Sequence, residues 1–136
     1  MLIQLLICSI VMGLTVFVHA EMLSLFKFTS DRINDAIVRI LGLRGRSLLM
    51  AFAALWILAA MTLEVWLWAI VLLLVGAFQA LEPALYFALV CFTTLGFGDV
   101  ILGVEWRIMS ALLAINGLLL FGWSTAFMVD ILRTER

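Results

Sequence analysis

The sequence predicts an all-α membrane protein: three transmembrane helices and one re-entrant helix followed by an irregular loop. Composition is the first observation. Of 136 residues, 67% are apolar and 12% charged, against roughly 45–50% and 25% in a soluble domain. A soluble chain of this length cannot hide so much apolar surface in one core, so much of it faces lipid. The second observation is a set of long apolar stretches, and the third is one apolar stretch broken by Glu82-Pro83 and by Gly96-Phe97-Gly98. A formal net charge of −1 gives no basic excess for nucleic acid, and a single proline excludes a Pro-rich module.

A helix needs about 20 mostly apolar residues to cross a hydrocarbon core of roughly 30 Å. Residues 2–26, 48–76 and 104–131 meet that length. What remains is too short for a separate soluble domain, so no receptor, cyclic-nucleotide or calcium-binding domain is expected. The chain divides into an N-terminal transmembrane helix at 1–28, a linker at 29–46 and a membrane unit at 47–136.

The linker region carries Lys27, Arg32, Arg39, Arg44 and Arg46, and the C-terminal end carries Arg133 and Arg136. With three spans, seven of the eight basic residues lie on one side. By the positive-inside rule that side is cytoplasmic, with the N-terminus outside. Within the linker, Ile33, Ala36, Ile37, Ile40 and Leu41 form an apolar stripe at helical spacing, which predicts a short amphipathic helix in the inner interface. Thr29 or Ser30 is placed to cap its start and Gly42 to end it. A solvated connecting helix is the alternative. Val18-His19-Ala20 before Glu21 has the spacing of a signal-peptide cleavage site, but the segment lacks a basic n-region, and cleavage would reverse the topology. Cys8 and Cys91 show no metal or redox spacing and are read as packing residues.

The interrupted stretch, 76–103, is where spanning fails. Pro83 suits the first turn of a helix, and Glu82 suits its positive end. A half-length helix at 83–94 would be about 18 Å long, enough to enter the membrane and not to traverse it. Irregular backbone at that depth is tolerated only where protein or water surrounds it. Two glycines at alternate positions let successive carbonyls turn to one side, and four copies would stack rings of carbonyl oxygens.

Thr94-Leu95-Gly96-Phe97-Gly98-Asp99 resembles the T-V-G-Y-G-D signature of the potassium channel pore-domain family, with Leu for Val and Phe for Tyr. Tyr86 and Phe87 stand where that family often has an aromatic pair, and Gly117, Gly122 and the run Gly122-Trp123-Ser124-Thr125-Ala126 resemble its inner helix. The likeness is to the small bacterial-type two-span pore, with the first helix and linker as additions. It implies a homotetrameric channel in the plasma membrane, the bacterial inner membrane, with lipid and potassium ions as its other partners. The unit then reads as outer helix 48–76, pore helix 83–94, filter 94–98 and inner helix 104–131.

By this resemblance the carbonyls of Thr94, Leu95, Gly96 and Phe97 line the filter as the potassium sites, with Gly98 completing it and the Thr94 hydroxyl adding the innermost ring. Asp99 sits at the outer mouth, and Tyr86, Phe87 and Thr93 support the filter from the pore helix. Phe97 lacks the family tyrosine's hydroxyl, Phe87 lacks the indole N–H common there, and Val90 replaces a glutamate found in some members. The supporting polar network is therefore expected to be thin. Gly117 is read either as a close-packing position or, with Gly122, as a gating hinge; Asn116 beside it is placed to bond across helices.

His19 and Glu64 are the ionisable residues deepest in the spans. Counted from Lys27 and Arg46, they lie about 12 and 27 Å deep and miss each other, unless the excess length of the second span lies on the cytoplasmic side. If level, they form a candidate pH-sensing pair; otherwise each has a separate packing role. No span repeats Arg or Lys every third residue, so a voltage sensor is not expected. The chain has no nucleotide loop, nucleophile with its base or metal-ligand cluster, so neither an enzyme nor a resident cofactor is expected. The competing readings are a weakly selective cation channel and a non-conducting membrane sensor that keeps the pore fold as scaffold.

Overall fold

The fold is taken from a computed structural model. It describes residues 2–41 and 43–134, with the side chains of 31–44 and 46 left out of account. The order is α1 (Leu2–Leu41), α2 (Leu43–Leu74), α3 (Leu81–Phe92) and α4 (Arg107–Thr134). Three apolar segments are long enough to cross a membrane, Leu2–Ser30, Ser47–Leu74 and Arg107–Arg133, and α3 is a shorter apolar helix. The protein is an all-helical, multi-pass membrane protein.

Residue pairs give the helix directions. Thr15 meets Asn116 and Phe26 meets Phe127, so α1 and α4 run parallel. His19 meets Glu64 and Phe26 meets Phe52, so α2 runs antiparallel to α1. The half-length α3 packs against α2 and α4 and leaves α1 untouched.

The core lies between α2, α3 and α4, where Trp68, Leu72, Phe92, Met109 and Leu113 are fully or almost fully buried. In lipid this contact is held by close packing and hydrogen bonds, since burial from lipid into protein gains little hydrophobic free energy. A second cluster centres on Phe26, whose ring lies 5.7 Å from Phe52, 6.3 Å from Trp56 and 5.8 Å from Phe127. There the Trp56 indole N–H donates to the Met22 carbonyl at 2.8 Å, tying α2 to α1. Hydroxyls that face no neighbouring helix, such as Thr62 and Thr125, bond to carbonyls one turn back on their own helix. Three buried polar atoms, Gln4 Oε1, Glu64 Oε2 and the Trp68 indole nitrogen, have no partner among the described residues.

Several boundaries differ from the sequence expectation. No separate linker helix starts at Thr29 or Ser30, because α1 continues through them to Leu41. Their hydroxyls donate backwards, Thr29 to the Leu25 carbonyl and Ser30 to that of Lys27, and so support the helix interior instead of capping a new start. Which way the apolar stripe of Ile33, Ala36, Ile37, Ile40 and Leu41 faces rests on side chains left out of account, and the stop at Gly42 lies outside the described residues. The pore-type helix begins at Leu81 and ends at Phe92, two residues earlier at each end than expected. Ala80 supplies the extended residue before it, at φ −135 and ψ 151, which puts Pro83 third in the helix. Proline is tolerated there because first-turn N–H groups lack intrahelical partners. The last span starts at Arg107, since a turn closed by Trp106 N–H to the Gly103 carbonyl occupies the preceding residues.

Candidate functional site

The site is built on the last turn of α3. Thr93 caps the helix, and the next residue leaves it with a φ of 60, in the left-handed region. Gly96 at φ 55 and Gly98 at φ 75 repeat that conformation, so left-handed backbone recurs at 94, 96 and 98. Glycine takes this geometry without a Cβ penalty. Thr94 is the only described non-glycine residue with positive φ, a conformation that costs roughly 1–2 kcal/mol per residue with a side chain.

The amide groups of the loop turn back to the helix. Thr94 N–H donates to the Cys91 carbonyl at 2.9 Å, and Leu95 and Gly96 both donate to that of Val90, at 3.0 and 3.2 Å. Among the described residues, nothing donates to the carbonyls of Thr94, Leu95, Gly96 and Phe97. Three successive donors of the segment are thus satisfied by α3, while these four carbonyls face no donor on the single chain. All of Thr94 to Asp99 is exposed on the single chain.

At the far end of the loop the Tyr86 hydroxyl donates to Asp99 Oδ2 at 2.6 Å. That bond holds the Asp99 carboxyl below the usual carboxylate range and, reciprocally, raises the tyrosine phenol. The family resemblance had suggested Tyr86 as one of an aromatic pair; the hydrogen bond was missed, although it uses the chain's one tyrosine. Phe87 is buried against Phe78, ring centroids 5.4 Å apart. The Thr93 hydroxyl bonds to the Leu89 carbonyl of its own helix at 2.7 Å.

Gly117 and Gly122 separate in their surroundings. A Cβ on Gly117 would run into the Phe92 carbonyl oxygen, so this glycine lets α4 approach the end of α3. Gly122 meets nothing within 4 Å.

His19 and Glu64 do meet. His19 Nδ1 and Glu64 Oε1 are 2.7 Å apart, with both side chains fully buried. The condition set by span lengths is fulfilled, because Phe26 lies beside Phe52, which leaves the first residues of the second span beyond Phe26 at the Lys27 end. Side chains lean toward the N-terminus of their own helix, so in an antiparallel pair His19 and Glu64 reach toward each other. Ser124 Oγ stands 3.1 Å from His19 Nε2, and Thr15 bonds reciprocally with Asn116 at 2.7 and 3.0 Å. Ser124 and Thr15 escaped the sequence reading. The usable signal was helical spacing, since Thr15 with His19 and Asn116 with Ser124 are four and eight residues apart and share a face.

Among the described residues no group of three or more His, Cys, Asp or Glu gathers to hold a metal ion. Three crossing helices, a half-length helix and a loop of free carbonyls define a pore-forming membrane protein. A family model described as "ion channel" matches residues 60–134, and the chain belongs to that family, whose unit is a two-span pore domain of potassium-channel type. Comparison with curated proteins and with solved structures returns no match.

Proposed function

We propose that the protein is a homotetrameric potassium channel whose selectivity filter is Thr94-Leu95-Gly96-Phe97-Gly98. The observation that carries this reading is the left-handed backbone at Thr94, Gly96 and Gly98, joined to carbonyls that no donor satisfies. Alternating conformations turn successive carbonyls to one side, and rings of such oxygens replace the hydration shell of a potassium ion. One chain supplies one strand of that ring, and lipid offers no donor to a bare carbonyl, so closed cyclic symmetry is the arrangement that completes the site. An apolar groove of about 690 Å³ beside the filter, lined by Val90, Cys91, Val100, Leu102 and Val104, is the seat for the neighbouring subunit. Asp99 lies at the outer mouth and concentrates cations there. The seven basic residues on one side of the three spans support a cytoplasmic C-terminus and an outside N-terminus, on the reading of a bacterial inner membrane protein.

A weakly selective cation channel is the second reading, favoured by Phe97, which is 66% exposed on the chain and has no hydroxyl to anchor it. Liposomes holding the purified protein distinguish the two. Rapid potassium flux with little sodium flux is expected, and Gly96→Ala abolishes it because alanine resists the left-handed backbone. Equal flux of both ions establishes the second reading. No flux of either leaves only a non-conducting scaffold.

A further inference from the structure

Five polar side chains are buried where α1, α2 and α4 meet: Thr15, His19, Glu64 and Asn116 are fully buried and Ser124 is 5% exposed. Thr15 and Asn116 satisfy each other with no change of charge. His19 and Glu64 differ, because both exchange protons. Glu64 Oε1 is engaged by His19 Nδ1, while Oε2 is buried and has no partner. A buried carboxylate with one bare oxygen needs either a balancing cation or a proton of its own.

We propose that His19 and Glu64 form a proton-binding site inside the membrane, whose occupancy sets how firmly α4 is tied to α1 and α2 and so how readily the pore conducts. The coupling to conduction rests on the channel reading above; the proton site itself does not.

The chemistry follows from the three partners. With His19 as imidazolium, Nδ1–H donates to the Glu64 carboxylate, Nε2–H donates to the Ser124 hydroxyl, and the buried charges sum to zero. Loss of one proton leaves Nδ1–H on the carboxylate but bares Nε2, so Ser124 must turn and become the donor. It also leaves the carboxylate without a counter-charge in a dry interface. The tie to α4 is therefore strongest in the protonated state and weakens as pH rises.

No other charge compensates. From α2, Glu64 is the lone charged residue between Arg46 and the helix end at Leu74, and α4 has none between Arg107 and Asp130. From α4 the site receives the Ser124 hydroxyl and the Trp123 ring, whose centroid is 5.6 Å from the imidazole. On α1 the neighbouring Glu21 is exposed, and Lys27 pairs with Asp130 at 3.7 Å. The titratable groups of α3, Glu82, Tyr86 and Cys91, belong to a helix that does not touch α1. The matched family unit begins at residue 60, so His19 comes from outside it while Glu64 and Ser124 come from within.

His19 is the chain's one histidine, so selective ¹⁵N labelling of histidine reports this imidazole alone. In the full-length protein in lipid, two N–H resonances are expected at low pH and one at high pH, with a transition that is displaced in Glu64→Gln. In liposomes, wild-type potassium flux is expected to rise several-fold across the same transition, while His19→Gln gives a flat profile and Glu64→Gln a displaced one. An imidazole that does not titrate overturns the proton site, whether or not the protein conducts. A titrating imidazole with pH-independent flux, or a flux profile unchanged in Glu64→Gln, overturns the coupling. Absence of flux at every pH overturns the channel reading, and the resonance titration still decides the site.

Discussion

Tyr86 and Asp99 join the middle of α3 to the outer end of the loop through a single 2.6 Å hydrogen bond, a partner the sequence reading did not name. Tyr86→Phe keeps the ring and removes the bond. Potassium flux through Tyr86→Phe is expected to decay several-fold faster under sustained gradient, measured in the same liposomes as wild type. Its pH dependence has a defined sign. Asp99 is depressed when folded, so the tie is complete above the ordinary carboxylate range and fades as pH falls through the depressed value. The phenol is raised, so on the alkaline side the tie persists until pH passes through the folded tyrosine value. At the same scale, the two inner-helix glycines have different expected outcomes. Gly117→Ala forces the Phe92 carbonyl away, an overpacking that costs about 1–3 kcal/mol, seen as a lowered thermal midpoint in detergent. Gly122→Ala has open space and is expected to hold stability or gain up to about 1 kcal/mol of helix propensity.

Among elements, α1 is the addition to the pore unit, and it is fastened to α4 between Thr15 and Lys27. Thr15 meets Asn116, His19 meets Ser124, Phe26 meets Phe127 and Lys27 meets Asp130. Lys27 and Asp130 are both largely exposed, so that pair contributes little. The buried amide contributes more: Asn116→Leu is expected to cost about 0.6–1.7 kcal/mol, the range for hydrogen bonds between membrane helices. Unfolding in mixed micelles measures it, and Thr15→Val should give a similar loss that does not add to the first, because both remove one interaction. The three spans and the short α3 were legible, since apolar length and the Glu82-Pro83 break are local signals. The joining of α1 across Thr29 and Ser30 was not, because hydroxyls that cap a helix also bond back within one, and sequence does not distinguish the two.

For the molecule as a whole, the proposed channel makes each chain one part of a closed ring. Crosslinking in the membrane is expected to give a ladder ending at four chains, and a reporter fused to the C-terminus is expected to be protected from outside reagents. A ladder ending at two would refute the ring.

By itself the sequence determined that this chain lives in a membrane, how many times its helices cross, and that a glycine-bearing loop follows a half-length helix. Those properties depend on residue type and local spacing. The tertiary structure decided which polar side chains find each other. His19 and Glu64 are 45 residues apart, and counting from the basic ends placed them at different depths. Their meeting depends on how far α2 slides along α1, which is set by Phe26 settling beside Phe52 and Trp56. The choice of Gly117 over Gly122 as the contact glycine likewise depends on which face of α4 meets the end of α3. Such registers come from packing between distant segments, and no local pattern encodes them.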